Sequence, residues 1–547
     1  MTMKFNRYIS LCLIMLLTSC NGWLTEDNPM TNTPSDYMSS SEAAIQVVNA
    51  VYSPMMWEYN DTYYSEFFIG DIVSDDALKG GQNISDMADA YDMENFKTIS
   101  NNGLLLDFYR AQFQGVARAN LALAEIAAMP VDEDFDQSLK DRLLAEAKYL
   151  RAFYYFRLVR VFGGVPEILA PIYSSTQWKH QRSSVDDIFS RIVTDLADAE
   201  GHLPKKSGYA AEDMGRATSG AAQAMLMKAY IYWAGFKEAG MASVAEDCWN
   251  QALTWGTKFM NDQSAEYSLC TDYADNFTLA GENGPESVFE IQYMLEATSD
   301  YGVGNGSTRG TFATILTRSR SAKSENAGWG FNKPTDNLVA EFEAGDPRLA
   351  ATVRTPSDGD MSTPSEEIYL GCRHLTVKRT LPASGIEYEE LAHESRSPIN
   401  NIVIRLADVY LMYAEACLEN NDAANAKIYL EKVRSRARGK ADILPAFPGY
   451  SVPDYTDSYV RRQLEDNQED LMLAIRHERR VELAMEGHRW YDLVRWGIAG
   501  DVMTAYKAQE SAEARNHIGD FIKGKHELFP IPYEEVKLSN LTQNNGY

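Results

Sequence analysis

The sequence predicts an all-α, α-rich fold carrying irregular loops and minor β-hairpins. Three observations point there. Several long segments of the 547-residue chain repeat apolar residues at the helical period. Two of them form a helix–turn–helix with small residues at the crossings, the pattern of tetratricopeptide repeats. The segments between are polar and Gly-rich, and only one short run alternates as a strand would.

Taken in order, the first strong helix starts near Asp141, with apolar residues at Leu143, Leu144, Ala147, Leu150, Tyr154, Leu158 and Val161. Gly163-Gly164 and Pro166 end it. A second runs from about Thr218 through Ala221, Met225, Ala229 and Trp233 to Gly235. Val288 to Tyr293 alternates like a short strand, and Gly302, Gly304, Gly306 and Gly310 then punctuate an aperiodic stretch. Another loop-like region covers about 355–398. Leu406, Val409, Tyr410, Tyr413, Ala414 and Cys417 mark a third helix. After Asn420-Asn421-Asp422, its partner follows through Ala426, Tyr429, Leu430 and Val433. A fourth is expected from about Leu471 to Trp496.

The N-terminus has the form of a secretory signal, with Lys4 and Arg7 ahead of an apolar Ile9–Leu17 segment. That segment is far short of the ~20 apolar residues a spanning helix needs. Leu17-Thr18-Ser19-Cys20 resembles a bacterial lipobox, which implies cleavage before Cys20 and acylation of its thiol. The expected organisation is a signal over 1–19, a lipidated tether over 20–30, and one domain over 31–547. Within it, an N-terminal part spans about 31–260 and a C-terminal part about 275–547. The formal net charge of −27 disfavours nucleic acid and anionic headgroups, which call for clustered Lys and Arg. No CxxC pair occurs. Cys248, Cys270, Cys372 and Cys417 read as buried free thiols, Cys417 above all because it lies in a helical pattern.

Several motifs then align with a known family. Glu146 to Phe156 with Phe162-Gly163-Gly164-Val165-Pro166, Arg216-Ala217-Thr218, and Gly345-Asp346-Pro347-Arg348-Leu349 come first. Arg405 to Ala416, Glu478-Arg479-Arg480 and Glu486 to Leu493 follow. Phe529-Pro530-Ile531-Pro532 and the tail Gln543 to Tyr547 close the series. In this the chain resembles the SusD/RagB outer-membrane nutrient-binding lipoproteins, although Asn545 stands where the family tail usually has proline. The resemblance implies a SusD-like fold of four tetratricopeptide-like helix pairs. It also implies a SusC-like TonB-dependent barrel as partner, outer-membrane anchoring through acylated Cys20 facing the cell exterior, and an oligosaccharide or polysaccharide ligand.

Sugar rings present apolar C–H faces that stack on flat aromatics, and hydroxyl rims that want amides, carboxylates and guanidiniums. Aromatics on loops are therefore the informative ones. The ligand-binding candidates are Trp57, Tyr91 with Asn83, Tyr293, Tyr301, Arg309, Arg320 and Trp329. Trp329 lies between Gly328 and Gly330, where little neighbouring bulk would shield it. Tyr63, Tyr64 and Asp92 lie in the same loop-like runs. In starch-binding members of the family, aromatics from roughly these regions form a stacking arc. Trp178, Trp233, Trp249, Trp490 and Trp496 lie in or beside helical patterns and are assigned to packing.

Catalytic chemistry has less support. Glu478, Glu482 and Glu486, spaced by four, would share one helix face, and are read as an Arg–Glu ladder orienting helices. No HExxH spacing appears, and no catalytic residue, metal or cofactor is assigned. Gly519 to His526 nearly spells a phosphate-binding loop, but His526 stands where the magnesium-binding Ser or Thr would be. It is read as a surface loop. The expected function is non-catalytic glycan capture and hand-off to the barrel. A peptide-binding member of the same architecture is the alternative, and a glycoside hydrolase a more distant one.

Overall fold

Side-chain caps fix where the helices begin. The structure, a computed structural model, describes residues 38–58, 67–174, 177–294, 310–320, 328–356, 369–381, 397–439, 444–455 and 457–547. Helix α1 (Ser41–Tyr52) leads to β1 (Ala77–Gly80), α2 (Ala88–Glu94) and the long α3 (Gly103–Ala128) and α4 (Gln137–Phe162). Asn102 and Asp136 each accept a backbone N–H in the first turn of α3 and α4, satisfying donors that have no intrahelical partner. Gly163, at φ 69°, ends α4 where the sequence expects. Then come α5 (Val185–Glu200), α6 (Ser219–Glu238) and α7 (Cys248–Asp262). Ser184 and Asp187 form a reciprocal capping box on α5, and Thr218 caps α6.

The middle of the chain supplies β2 (Ser287–Ile291), α8 (Ala313–Thr317), β3 (Phe331–Pro334), α9 (Asp336–Glu341), α10 (Arg348–Thr352), β4 (Val353–Arg354) and β5 (Leu375–Thr376). Next are β6 (Asn401–Arg405), α11 (Leu406–Glu419), α12 (Ala423–Arg438) and the strands β7 (Ser451–Asp454) and β8 (Val460–Gln463). The chain closes with α13 (Gln468–Leu483), α14 (Arg489–Arg495), α15 (Ala499–Gln509) and α16 (Tyr533–Ser539).

Helices α3, α4, α5, α6, α7, α11, α12 and α13 pack each on the next. The packing is most extensive between the chain neighbours α3/α4, α4/α5, α5/α6, α6/α7 and α11/α12, the last being the helix–turn–helix that the sequence predicts, and residues 263–405 of the sequence lie between α7 and α11. One apolar cluster extends from Met38 to Leu541 through both halves of the array. Among the described residues no helix is long and apolar enough to cross a membrane. Cys248, Cys270, Cys372 and Cys417 are free and buried. Cys20 lies outside the described residues.

One secondary-structure expectation needs correction. The single helix expected from Leu471 to Trp496 is two, α13 and α14, with a turn at residues 484–488. Met485 and Gly487 take φ of 63° and 81°, and the Gly487 N–H donates to buried Asp71 at 2.8 Å instead of continuing a helix. A Cβ on Gly70 would lie 2.3 Å from the Gly487 carbonyl oxygen, so the turn closes directly on the N-terminal half. The carbonyls freed at the end of α13 are taken by cations: Arg405 and Lys378 both donate to Glu482 O, and Lys378 to Ala484 O at 2.7 Å. Of the four two-stranded sheets among the described residues, β4–β5 and β7–β8 join consecutive antiparallel strands, whereas β1–β3 and β2–β6 pair distant segments. All five residues of β2 are buried, so its alternation does not mark a wet face.

The Glu-rich cluster is structural. Arg348 binds Glu478 at 2.5 Å and Glu482 at 3.0 Å, and Arg405 holds Glu482, Glu486 and Glu286 at 2.6–2.9 Å. Arg436 also reaches Glu482. Glu478 and Glu482 lie on α13, whereas Glu486 reaches the same cations from the turn. A second centre joins the ends of the chain: Arg489 forks onto Asp75 at 2.7 and 2.8 Å, and Arg480 bridges Asp76 and Glu341 at 2.8 and 2.9 Å. In a third, Asp408 takes Lys228 and Arg479, and Glu415 takes a forked bond from Arg495. All of these residues are buried except Arg436, which is half-buried.

Candidate functional site

The antiparallel β1–β3 pair brings residues about 250 positions apart together, with Leu78 opposite Lys333 and Gly80 opposite Phe331. Its ends set the 81–87 turn beside residues 318–320 and 328–330, and Gly81 N–H donates to Gly330 O at 2.9 Å. Lys79 organises the first turn from below. Its ammonium is buried and donates to the carbonyls of Gly80, Asn83 and Asp86 at 2.8, 3.1 and 2.5 Å, and burial pushes its pKa down to about 8. Asn83 is exposed, and its side-chain Oδ1 accepts the Ser85 and Asp86 N–H groups in an Asx turn, which leaves its NH₂ as a donor.

Across from that turn, Arg320 donates to Trp329 O at 3.1 Å and approaches the Asp86 carboxylate at 3.8 Å. Trp329 is half-buried rather than fully open. A Cβ on Gly328 would meet Arg318 Cβ at 2.4 Å, and one on Gly330 would meet Arg320 Cγ at 2.7 Å. The two glycines therefore let the arginine-bearing 318–320 segment approach; they do not free the indole. The Trp329 N–H bonds Ile315 O at 2.8 Å, and the indole lies against Phe312, ring centres 6.4 Å apart.

Phe312 connects this edge to the next two candidates. Its N–H donates to buried Glu58 at 2.8 Å, as do the hydroxyls of Thr311 and Tyr293 at 2.8 Å. Burial raises the Glu58 pKa above the usual carboxylate range against these donors. Next to Glu58, Trp57 is stacked on Arg118 at 5.0 Å, with its indole N–H on Ser53. Asn83, Arg320, Trp329, Tyr293 and Trp57 thus lie along one connected run. Tyr91 stands apart on α2, its hydroxyl 2.8 Å from His517 Nδ1. Tyr301, Arg309, Tyr63 and Tyr64 lie outside the described residues. Glu58, Lys79 and Phe312 were not predicted. Lys79 alone carried a signal, as a lysine following the apolar Ala77-Leu78 and preceding Gly80-Gly81.

The remaining sequence readings fall on both sides. Trp233 and Trp490 are buried, and Trp249 and Trp496 pack partly on the core. Trp178 does not pack: it is 52% exposed, on the loop before α5. That loop is aperiodic, so no helix of its own turns the indole into the core. In the loop from Gly519 to His526, Ile522 is exposed, while His526 is buried and stacked on Phe96 at 5.2 Å.

Residues 382–547 match a family model described as SusD family, and residues 22–231 match one described as starch-binding associating with outer membrane. The chain belongs to the SusD/RagB family. Within the family it is similar to SusD-like protein P25 of Formosa agariphila, 24% identical over 99% of both chains. A laminarin binding SusD-like protein of known structure is 26% identical, with a TM-score of 0.72 over 93% of this chain and all of the other. Surface glycan-binding protein A from Bacteroides thetaiotaomicron, solved in complex with laminarihexaose, shares the fold at 21% identity. Its TM-score is 0.74 over 93% of this chain and all of the other.

Proposed function

We propose that this SusD/RagB chain is a non-catalytic glycan-binding lipoprotein of the outer-membrane surface. The observation that carries the reading is the run of Trp329, Arg320 and Asn83 along the β1–β3 edge. A half-buried indole offers a flat face to pyranose C–H groups, and the Arg320 guanidinium next to it, with the Asn83 amide on the turn that Arg320 approaches, serves the hydroxyl rim. The likeness to a laminarin binding relative supports a β-glucan as the first ligand to try. The buried carboxylates of α13 are committed to arginines, which favours binding over acid–base chemistry. Cys20 carries the acyl anchor, and bound oligosaccharide passes to a TonB-dependent barrel covered by this protein.

A printed array of glycans and peptides, followed by titration of laminarihexaose and of the strongest hit, tests the reading. Binding to glycans is expected. Binding to peptides alone would replace it with a peptide-capture role, and sustained release of reducing ends from a bound glycan would make the protein an enzyme. Cys20→Ser should abolish incorporation of labelled palmitate and release the chain from outer membranes. A membrane β-barrel should co-purify with the native chain in mild detergent, and its absence would remove the hand-off.

A further inference from the structure

A second pocket lies away from the β1–β3 edge, on the helical array. After Gly163-Gly164 the chain doubles back over α3, and Pro166, Ile168, Ile172, Trp178 and His180 form one wall. The side of α16 forms the other. The open cleft between them has a volume of about 310 Å³. Its apolar lining includes Tyr109 and Phe113 from α3, Ile172 and Trp178 from the loop, and Leu538 from α16. Trp178 and Leu538 are 52% and 51% exposed, so this lining faces solvent rather than the core.

The walls are held firmly. Tyr155 OH bonds both the N–H and the carbonyl of Ile168, at 2.6 and 3.0 Å, and Asn120 donates to the same carbonyl at 2.8 Å. Tyr173 and Ser174 N–H groups donate to Gln177, which folds the loop next to Trp178. Polar groups stand at the rim. Arg110 and Glu535 pair at 3.1 Å, Gln114 is exposed, and His180 Nε2 is buried with no hydrogen-bond partner among the described residues. A buried, unsatisfied ring nitrogen is costly unless something supplies the missing bond.

We propose that this pocket is a second carbohydrate site, which takes one or two sugar rings of the same polymer captured at Trp329. The inference rests on the glycan-binding reading above. An exposed indole in a concave setting suits the C–H face of a pyranose. The Arg110–Glu535 pair, Gln114 and His180 offer both donors and acceptors to its hydroxyls. A flat apolar patch suited to a protein partner would not need an unsatisfied nitrogen at its edge. Two weak sites on one chain raise the retention of a long glycan far more than that of a short one, since the second contact becomes intramolecular.

The test compares wild type, Trp178→Ala and Trp329→Ala for retention in gels containing the polysaccharide that binds best on the array, and for titration with its short oligosaccharide. Trp178→Ala should keep the wild-type melting temperature, because the indole is exposed. Its retention by polymer should fall several-fold while short-oligosaccharide affinity at the Trp329 edge is unchanged. Trp329→Ala should keep residual polymer binding, and the double variant should lose it. Wild type that binds no glycan would overturn the function itself. Wild type that binds while Trp178→Ala matches it on every polymer would overturn this inference alone. So would concentration-dependent dimerisation or peptide binding that Trp178→Ala abolishes with glycan retention intact.

Discussion

Glu58 and Tyr293, 235 residues apart, are joined by a 2.8 Å hydrogen bond inside the protein. The same carboxylate holds Thr311 and the backbone of Phe312, and Phe312 supports the Trp329 indole. A single buried acid therefore ties three segments of the candidate site together.

Glu58→Ala should strand the Tyr293, Thr311 and Phe312 donors. Leaving buried donors unsatisfied costs ~1–3 kcal/mol each, so a stability loss of at least about 2 kcal/mol is expected in urea unfolding. Glycan affinity should fall with it, because the backing of Trp329 loosens. Unchanged affinity would mean the Trp329 edge is set without Glu58.

Trp329→Ala should weaken short-oligosaccharide binding about tenfold, the equivalent of ~1.4 kcal/mol of lost stacking. Trp329→Phe should recover most of that loss. Isothermal titration separates the two, and full affinity in the alanine variant would remove Trp329 from the site.

Arg405→Met should be far more damaging than any loop change. It leaves Glu482, Glu486 and Glu286 short of a buried counter-charge, and breaking such a pair costs ~3–5 kcal/mol. Chemical denaturation should show the loss, with a midpoint well below wild type.

Acid stability follows from the same network. Arginine partners hold Glu341, Glu486 and Asp492 down to about 2 against their burial. Their contribution is complete above the unfolded value near ~4 and is lost as pH falls towards 2. Between pH 7 and 4 other groups act in opposed senses. Burial raises Asp71 and Glu94 to about 7, which favours the fold as pH drops. Burial lowers His488 and His526 to about 3 and about 4, which disfavours it over the same span. Calorimetry should therefore show a near plateau in melting temperature from pH 7 to about 4.5 and a steep fall below it. A steady decline starting from pH 7 would contradict this balance.

The sequence announced the helices that carry both periodicity and caps, such as α4, α6, α11 and α12. It hid the break before α14, because apolar and charged residues continue around Gly487 and the turn is selected by long-range contacts: the Gly487 bond to Asp71, the close approach of Gly70, and Lys378 and Arg405 on the freed carbonyls. The motifs that carry the family resemblance are mostly ion-pair residues: Asp346, Arg348, Arg405, Asp408, Glu415, Glu478, Arg480 and Arg489 are all buried and paired. They identify the scaffold and say little about the ligand. Site residues were only partly legible, since a loop aromatic shows its type but not its neighbours. Trp329 turned out to be backed by Phe312 and Trp178 to be open, and neither outcome is written in local spacing.

The pairing of Asp75 and Asp76 with Arg480 and Arg489 spans about 400 residues. A ribosome has made most of the chain before these arginines appear, and until then two acids meant for the interior have no counter-ion. The N-terminal half is thus kept from completing itself early. A fold that locks only when its last part arrives stays open, and available to whatever handles the nascent chain, until synthesis is nearly done.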